Sequence, residues 1–161
     1  MNLDILIAKS NDFEDFKACA KLMSSSEPWL TLRRNYEESL KNIQDPAKEV
    51  YIAKTSKDIV GFIVLLMVGP FRGYVQVLCV SPDFRSKGLG AQLLGFVEKR
   101  VFTESPNLFL CVSSFNEKAQ KFYTRLGYQQ IGTIPDFVEV GYSEFLMRKT
   151  IGSLNAFFKA F

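Results

Sequence analysis

The chain of 161 residues contains no histidine. That absence removes the Ser–His and Cys–His nucleophile pairs and the commonest zinc ligand. Cysteine is scarce as well. Cys19, Cys79 and Cys111 are odd in number, sit inside apolar stretches and show no metal-type spacing, so they read as reduced core thiols and no metal site is expected. A strong excess of one charge is also missing. Twenty basic against 17 acidic residues leave a net charge of +3, too mild for a nucleic-acid-binding face. The most apolar run, Ile59 to Val68, is interrupted by Gly61 and ends at Gly69-Pro70. It falls well short of the roughly 20 residues that a membrane-crossing helix needs. A cytoplasmic protein with no membrane or nucleic-acid partner is the expectation. With 47% apolar and 23% charged residues, the composition fits one domain over residues 1–150, with 151–161 as a tail or short helix.

What is present alternates between two periodicities. Leu3 to Ala8 reads as an opening strand. A helix from about Asp12 then carries Phe13, Phe16, Ala20 and Met23 on one stripe. After the break Ser24 to Trp29, a second helix is expected to carry Leu32, Tyr36, Leu40 and Ile43. Val50 to Thr55 and Ile59 to Val68 read as a hairpin closed by Ser56-Lys57-Asp58, and Tyr74 to Val80 as the next strand. A helix to about Phe102 buries Leu89, Leu93, Val97 and Val101. Leu108 to Val112 is a strand, followed by a helix capped by Asn116 and stopped by Gly127. Tyr128 to Gly132 and Tyr142 to Lys149 complete the set. Antiparallel strands leading into a strand–helix–strand unit predict a mixed sheet with helices on both faces.

The chemistry concentrates between the strand ending at Val80 and the helix that follows. Arg85-x-x-Gly88-x-Gly90 lies in that connection. Glycine lets backbone N–H groups approach a ligand, and the first turn of a helix adds unpaired donors and the positive end of its dipole. The combination suits a pyrophosphate. Arg85 and Lys87 add positive charge, and Arg72 does so if the preceding turn folds close by. A nucleotide P-loop fits poorly, because Gly90 is followed by Ala91-Gln92 rather than Lys and Ser or Thr. A dinucleotide fingerprint would require three glycines in a first βαβ unit, whereas this loop lies past the middle of the chain.

Val77 to Gly90 resembles the acetyl-CoA-binding motif of the GNAT acetyltransferases, in which a strand with a Val-x-Pro step runs into Arg/Gln-x-x-Gly-x-Gly/Ala. A second motif of that family is matched by Asn116-Glu117-Lys118-Ala119-Gln120-Lys121-Phe122-Tyr123 and by Leu126-Gly127-Tyr128. The resemblance implies an α/β (α+β) fold: a mostly antiparallel mixed sheet of about seven strands, helices on both faces, and a V-shaped splay between the fourth and fifth strands. It implies acetyl-CoA as cosubstrate and transfer of the acetyl group to a primary amine, on a small molecule or a peptide, by direct attack in a ternary complex. The alternative within the same fold is a non-catalytic acyl-CoA sensor or an interaction domain. A monomer or homodimer fits either.

The roles that the resemblance implies fall on particular residues. Backbone amides from Arg85 through Ser86, Lys87, Gly88, Leu89 and Gly90 to Ala91 hold the pyrophosphate. The main chain of Leu78, Cys79 and Val80 bonds the pantetheine arm, and the Val80 amide polarises the thioester carbonyl. Asn116 bonds the pantetheine, Phe122 lines the slot, and Tyr123 acts as general acid toward the sulfur. Several of these have plainer readings too: Asn116 is a good helix cap, and Tyr123 lies on the apolar stripe of its helix. A glutamate base is common on the splayed strands of this family, but the comparable positions here are Tyr74 and Cys111. Asp136, Glu139 and Glu27, or a water chain, remain as candidates. The acceptor is expected between Ser24–Arg34 and Ile131–Glu144, at a weakly acidic, aromatic mouth that includes Trp29, Phe137, Tyr142, Asp136, Glu139 and Glu144. An ordinary solvated hairpin is the competing reading of the second stretch.

Overall fold

The computed structural model describes residues 4–160. Its elements are β1 (Leu6–Ser10), α1 (Phe13–Ser24), α2 (Tyr36–Ile43), β2 (Lys48–Lys54), β3 (Ile59–Leu66), β4 (Tyr74–Val80), α3 (Leu89–Val101), β5 (Asn107–Ser113), α4 (Glu117–Arg125), β6 (Gln129–Pro135), β7 (Ser143–Thr150) and α5 (Leu154–Lys159). The seven strands form one sheet in the order β1-β2-β3-β4-β5-β7-β6. Every neighbouring pair is antiparallel except β4 and β5, which run parallel. This is the mixed sheet that the order of elements predicts, and the short β4–β5 pairing matches the splay that the resemblance implies.

Helices cover both faces, and the central strands are correspondingly apolar on both. In β2, Tyr51 and Ala53 join the core under α3 and α4, whereas Val50 and Ile52 join the core under α1 and α2. Ile63 and Leu65 of β3 face the first core, Phe62 and Val64 the second. The outer strand β6 is largely exposed, as an edge with one free side allows.

Several boundaries differ from expectation for local reasons. The second helix starts at Tyr36, so Leu32 lies in the turns before it, buried but not helical. Asn35 accepts from the Glu38 amide while Glu38 accepts from the Asn35 amide, a capping box that fixes the start. Arg33, at φ 56°, prevents helix from continuing upstream. Strand β1 runs on to Ser10 because Lys9 and Ser10 keep pairing with Tyr51 and Val50. The expected strand start at Leu3 and the last tail residue, Phe161, lie outside the described residues.

The feature that creates the site is an opening within the sheet. β4 and β5 pair only at Tyr74–Phe109 and Val75–Leu110, where the Phe109 amide also donates to the Gly73 carbonyl at 2.9 Å. Immediately beyond, the register of β4 with β3 skips Gln76: Leu65 faces Val75 and Val64 faces Val77. Gln76 is thus the extra residue of a β-bulge, which bends a strand and increases its twist. From there β4 stays with β3 and β5 with β7, and the two part.

Candidate active site

The opening leads into a cavity of about 1200 Å³ that reaches both faces of the sheet. On the α3/α4 side its wall includes Leu78, Val80, Arg85, Ser86, Asn116 and Phe122. Strand alternation aims the backbone of this wall. The Ser81 amide donates to Val60 of β3 at 2.9 Å. Val80, one residue earlier and opposite Gly61, therefore turns its N–H and C=O away from β3, into the gap. The Val80 carbonyl accepts Arg85 Nε at 3.0 Å.

The loop after β4 keeps an unusual backbone. Ser86 has φ 59° and Gly88 φ 83°. Gly88 stands at the N-cap of α3 and offers no side-chain cap, so amides of the first helical turn keep their donors free for a ligand. A Cβ on Gly90 would come within 3.3 Å of the Phe122 ring. That glycine therefore lets α3 and α4 approach. Gly88, Gly90 and Ala91 border the cavity, whereas Leu89 is buried in the core and the Lys87 ammonium sits 5.6 Å from the Phe84 ring centre. Arg72 precedes β4 at its paired end, the opposite end from this loop.

Asn116 Oδ1 accepts from the Ala119 amide at 3.2 Å, so it caps α4 while bordering the cavity. Tyr123 is 9% exposed and packs against the rings of Phe122 and Tyr128. Burial holds its phenol well above the usual range, so the group stays protonated through neutral pH. Cys79 points to the opposite core, where burial pushes its thiol up to about 12.

Across the sheet, Trp29, Leu32, Ser39, Tyr74, Phe137 and Glu144 form the other part of the wall. Glu27 also borders it, with Oε2 accepting from the Thr31 amide at 3.2 Å. Asp136 and Glu139 do not border the cavity. Asp136 Oδ1 instead accepts from the Gly141 amide at 2.7 Å and ties the turn between β6 and β7. The acid of this segment that reaches the wall is Glu144, which faces Ser113 in register across β5 and β7. Its carboxyl is held above the usual range by burial, partly offset by the Ser113 hydroxyl, which donates to Oε1 at 2.8 Å. The signal for Glu144 lay in strand alternation: Phe145 and Met147 face the α3/α4 core, which turns Glu144 to the other side.

Charge divides along the cavity. Arg85, Lys118, Lys121 and Arg125 line the α3/α4 side, whereas Glu27, Glu38 and Glu144 line the opposite side together with Arg34. Among the described residues no group of His, Cys, Asp or Glu could hold a metal ion, and no helix is long and apolar enough to cross a membrane.

The sequence profile of the Acetyltransferase (GNAT) family matches residues 14–128. The chain belongs to that family. An uncharacterized protein of Mycobacterium leprae (strain TN) is 30% identical over 144 residues, covering 84% of this chain and 38% of the relative. The chain thus spans well under half the length of that relative. Among solved structures, a GNAT-family acetyltransferase from Desulfovibrio desulfuricans superposes with a TM-score of 0.78 at 18% identity, over 92% of this chain and 100% of the other. An aminoglycoside 6'-N-acetyltransferase complexed with coenzyme A superposes with a TM-score of 0.73 at 17% identity, over 92% and 98%. For this GNAT member, the splayed strands, the glycine loop and the helix bearing Asn116 and Tyr123 meet at one cavity.

Proposed function

We propose that this GNAT protein is an acetyl-CoA-dependent N-acetyltransferase that acts on a cationic primary amine. The observation that carries the reading is a continuous cavity through the sheet, basic at one side and predominantly carboxylate at the other. Coenzyme A is polyanionic, and the basic side offers it four cationic side chains, the free amides at the start of α3 and the open edge of β4. A cationic acceptor fits the carboxylate side, and the two would meet where β4 and β5 part.

Acetyl-CoA supplies an activated thioester there. The chain's own residues supply the rest. The Val80 N–H, fixed in the gap, stabilises negative charge that develops on a carbonyl oxygen. The Tyr123 hydroxyl makes no hydrogen bond among the described residues and can give its proton to a departing sulfur. Ser86, Gly88 and the first turn of α3 hold phosphate. Asn116 orients the arm between them. No covalent enzyme intermediate is needed, which agrees with a chain that lacks histidine.

The test is acetyl-CoA-dependent release of free thiol across a panel of primary amines. Turnover with cationic amines is expected, and coenzyme A at about 100 times its Kd should add about 2.7 kcal/mol of stability. Stabilisation without turnover on any amine would refute catalysis and leave an acyl-CoA sensor. Neither effect would leave an interaction domain.

A further inference from the structure

An amine that is protonated in water must lose a proton before it attacks. The splayed strands supply no ready base. Tyr74 and Cys111 stand at the opening, and burial is the first cause holding both the phenol and the thiol above their usual ranges. Each therefore keeps its proton near neutral pH. Gln76 is an amide and does not titrate.

Glu144 answers this need from the neighbouring strand. Among the described residues only two buried side-chain atoms lack a hydrogen-bond partner, Asn107 Oδ1 and Glu144 Oε2, and of these two residues only Glu144 borders the cavity. Glu144 is 5% exposed. A buried carboxylate oxygen left without a donor is costly, and holding Ser113 alone does not explain it, since a glutamine oxygen would accept the same bond. The titratable neighbours that face Glu144 are Tyr74 of β4 and Cys111 of β5. The cavity wall adds Glu27 and Arg34 from the turns before α2, and Glu38 from α2 itself. None of the described cations forms an ion pair with Glu144. The other acids are engaged or distant: Glu27 holds the Thr31 amide, Asp136 holds the Gly141 amide, and Glu139 lies off the wall.

We infer that Glu144 Oε2 receives the acceptor's ammonium group and takes the proton it must lose before attack. The inference rests on the acetyltransferase reading above. In this step one N–H bond of the ammonium breaks, an O–H bond forms on Glu144, and the nitrogen recovers its lone pair. An ion pair becomes two neutral groups, so net charge in the cavity does not change, and burial favours that direction. The proton passes to solvent when the product leaves.

The experiment compares the full chain with Glu144→Gln and Glu144→Asp, using acetyl-CoA, the amine panel, coenzyme A titration and thermal melts across pH. For Glu144→Gln, kcat should fall about 10²–10⁴-fold with coenzyme A affinity retained. Its kcat/KM should climb about tenfold per pH unit toward the amine pKa, ~10.4 for a lysine-type amine, while the wild type levels off earlier. Glu144→Asp should fall between the two. A raised folded-state pKa means that the wild type loses stability as pH rises from the usual carboxylate range through that pKa. The Gln variant escapes this loss, so its Tm at pH 8 should equal or exceed that of the wild type. A Gln variant that retains kcat within about threefold overturns the inference alone. So does a variant with a lower Tm and an unchanged pH profile, which would mark Glu144 as a structural partner of Ser113. A wild type that binds coenzyme A but acetylates no amine overturns the acetyltransferase reading, and this inference with it.

Discussion

Gly88 offers the sharpest test of the phosphate loop, because its two possible roles separate cleanly. The residue has φ 83°, and a Cβ built on it meets no protein atom within 4 Å. Any loss of stability on substitution must therefore come from backbone strain rather than from a clash. For a β-branched residue that strain is about 1–3 kcal/mol. In a chain of this length each kcal/mol lowers Tm by roughly 2–4 °C. Asparagine tolerates the left-handed conformation, so Gly88→Asn should leave Tm nearly unchanged while Gly88→Val lowers it by several degrees. Both side chains, however, occupy open space beside the amides that start α3. If phosphate fills that space, both variants lose coenzyme A affinity by more than tenfold, about 1.4 kcal/mol or more. Calorimetric titration alongside thermal melts reads the two effects independently. Unchanged affinity in both folded variants would refute the loop as the phosphate site, whatever happens to Tm.

Tyr123→Phe should retain Tm and coenzyme A affinity, because the hydroxyl makes no hydrogen bond among the described residues, yet lower kcat about 10²–10⁴-fold; a loss under threefold would leave the ring as packing only. In the double variant Asp136→Asn, Glu139→Gln, the asparagine still accepts from Gly141, so the turn should survive. KM for a cationic amine should rise modestly through lost long-range attraction, and the effect should shrink in high salt; a kcat loss that persists in salt would contradict the assignment of the proton to Glu144. Deleting Gln76 preserves both flanking registers of β4 with β3 but removes the bend. Coenzyme A affinity should drop more than tenfold in a protein that still folds, and an undiminished affinity would show that the bulge does not hold the gap open.

Most of the fold was legible because its signals are local. Periodicity marked the strands and helices, and the glycine loop and the Asn116 helix fell on the elements predicted for them. Leu32 misled because its spacing continues the stripe of Tyr36, Leu40 and Ile43, while the capping box of Asn35 and Glu38 interrupts the helix between them. The candidate site was legible only in part, and the division is physical. Arg85 to Ala91, Asn116 and Tyr123 lie on a continuous strand–loop–helix unit and on a single helix, so spacing along the chain carries their geometry. The carboxylate side of the cavity is assembled from segments far apart in sequence. There, acidity of a stretch did not reveal which acid turns inward: Asp136 is spent on a turn, Glu139 stays off the wall, and Glu144 enters it because β7 pairs with β5 in one particular register.

That register links the missing histidine to the shape of the sheet. In the proposed reaction the parting of β4 and β5 lets a thioester on one face reach an amine on the other, and parting strips the inner edges of both strands of partners. Val80 turns its amide into the gap, where the proposed reading places the cofactor. The side chains at the root of the opening, Tyr74 and Cys111, are held protonated by their burial. In the proposed reaction a proton acceptor would therefore come from a strand that does not line the gap by its backbone yet still reaches it with a side chain. β7, antiparallel to β5, meets that requirement at the position opposite Ser113. A glutamate there can be buried without interrupting any ladder, and its second oxygen has no hydrogen-bond partner among the described residues.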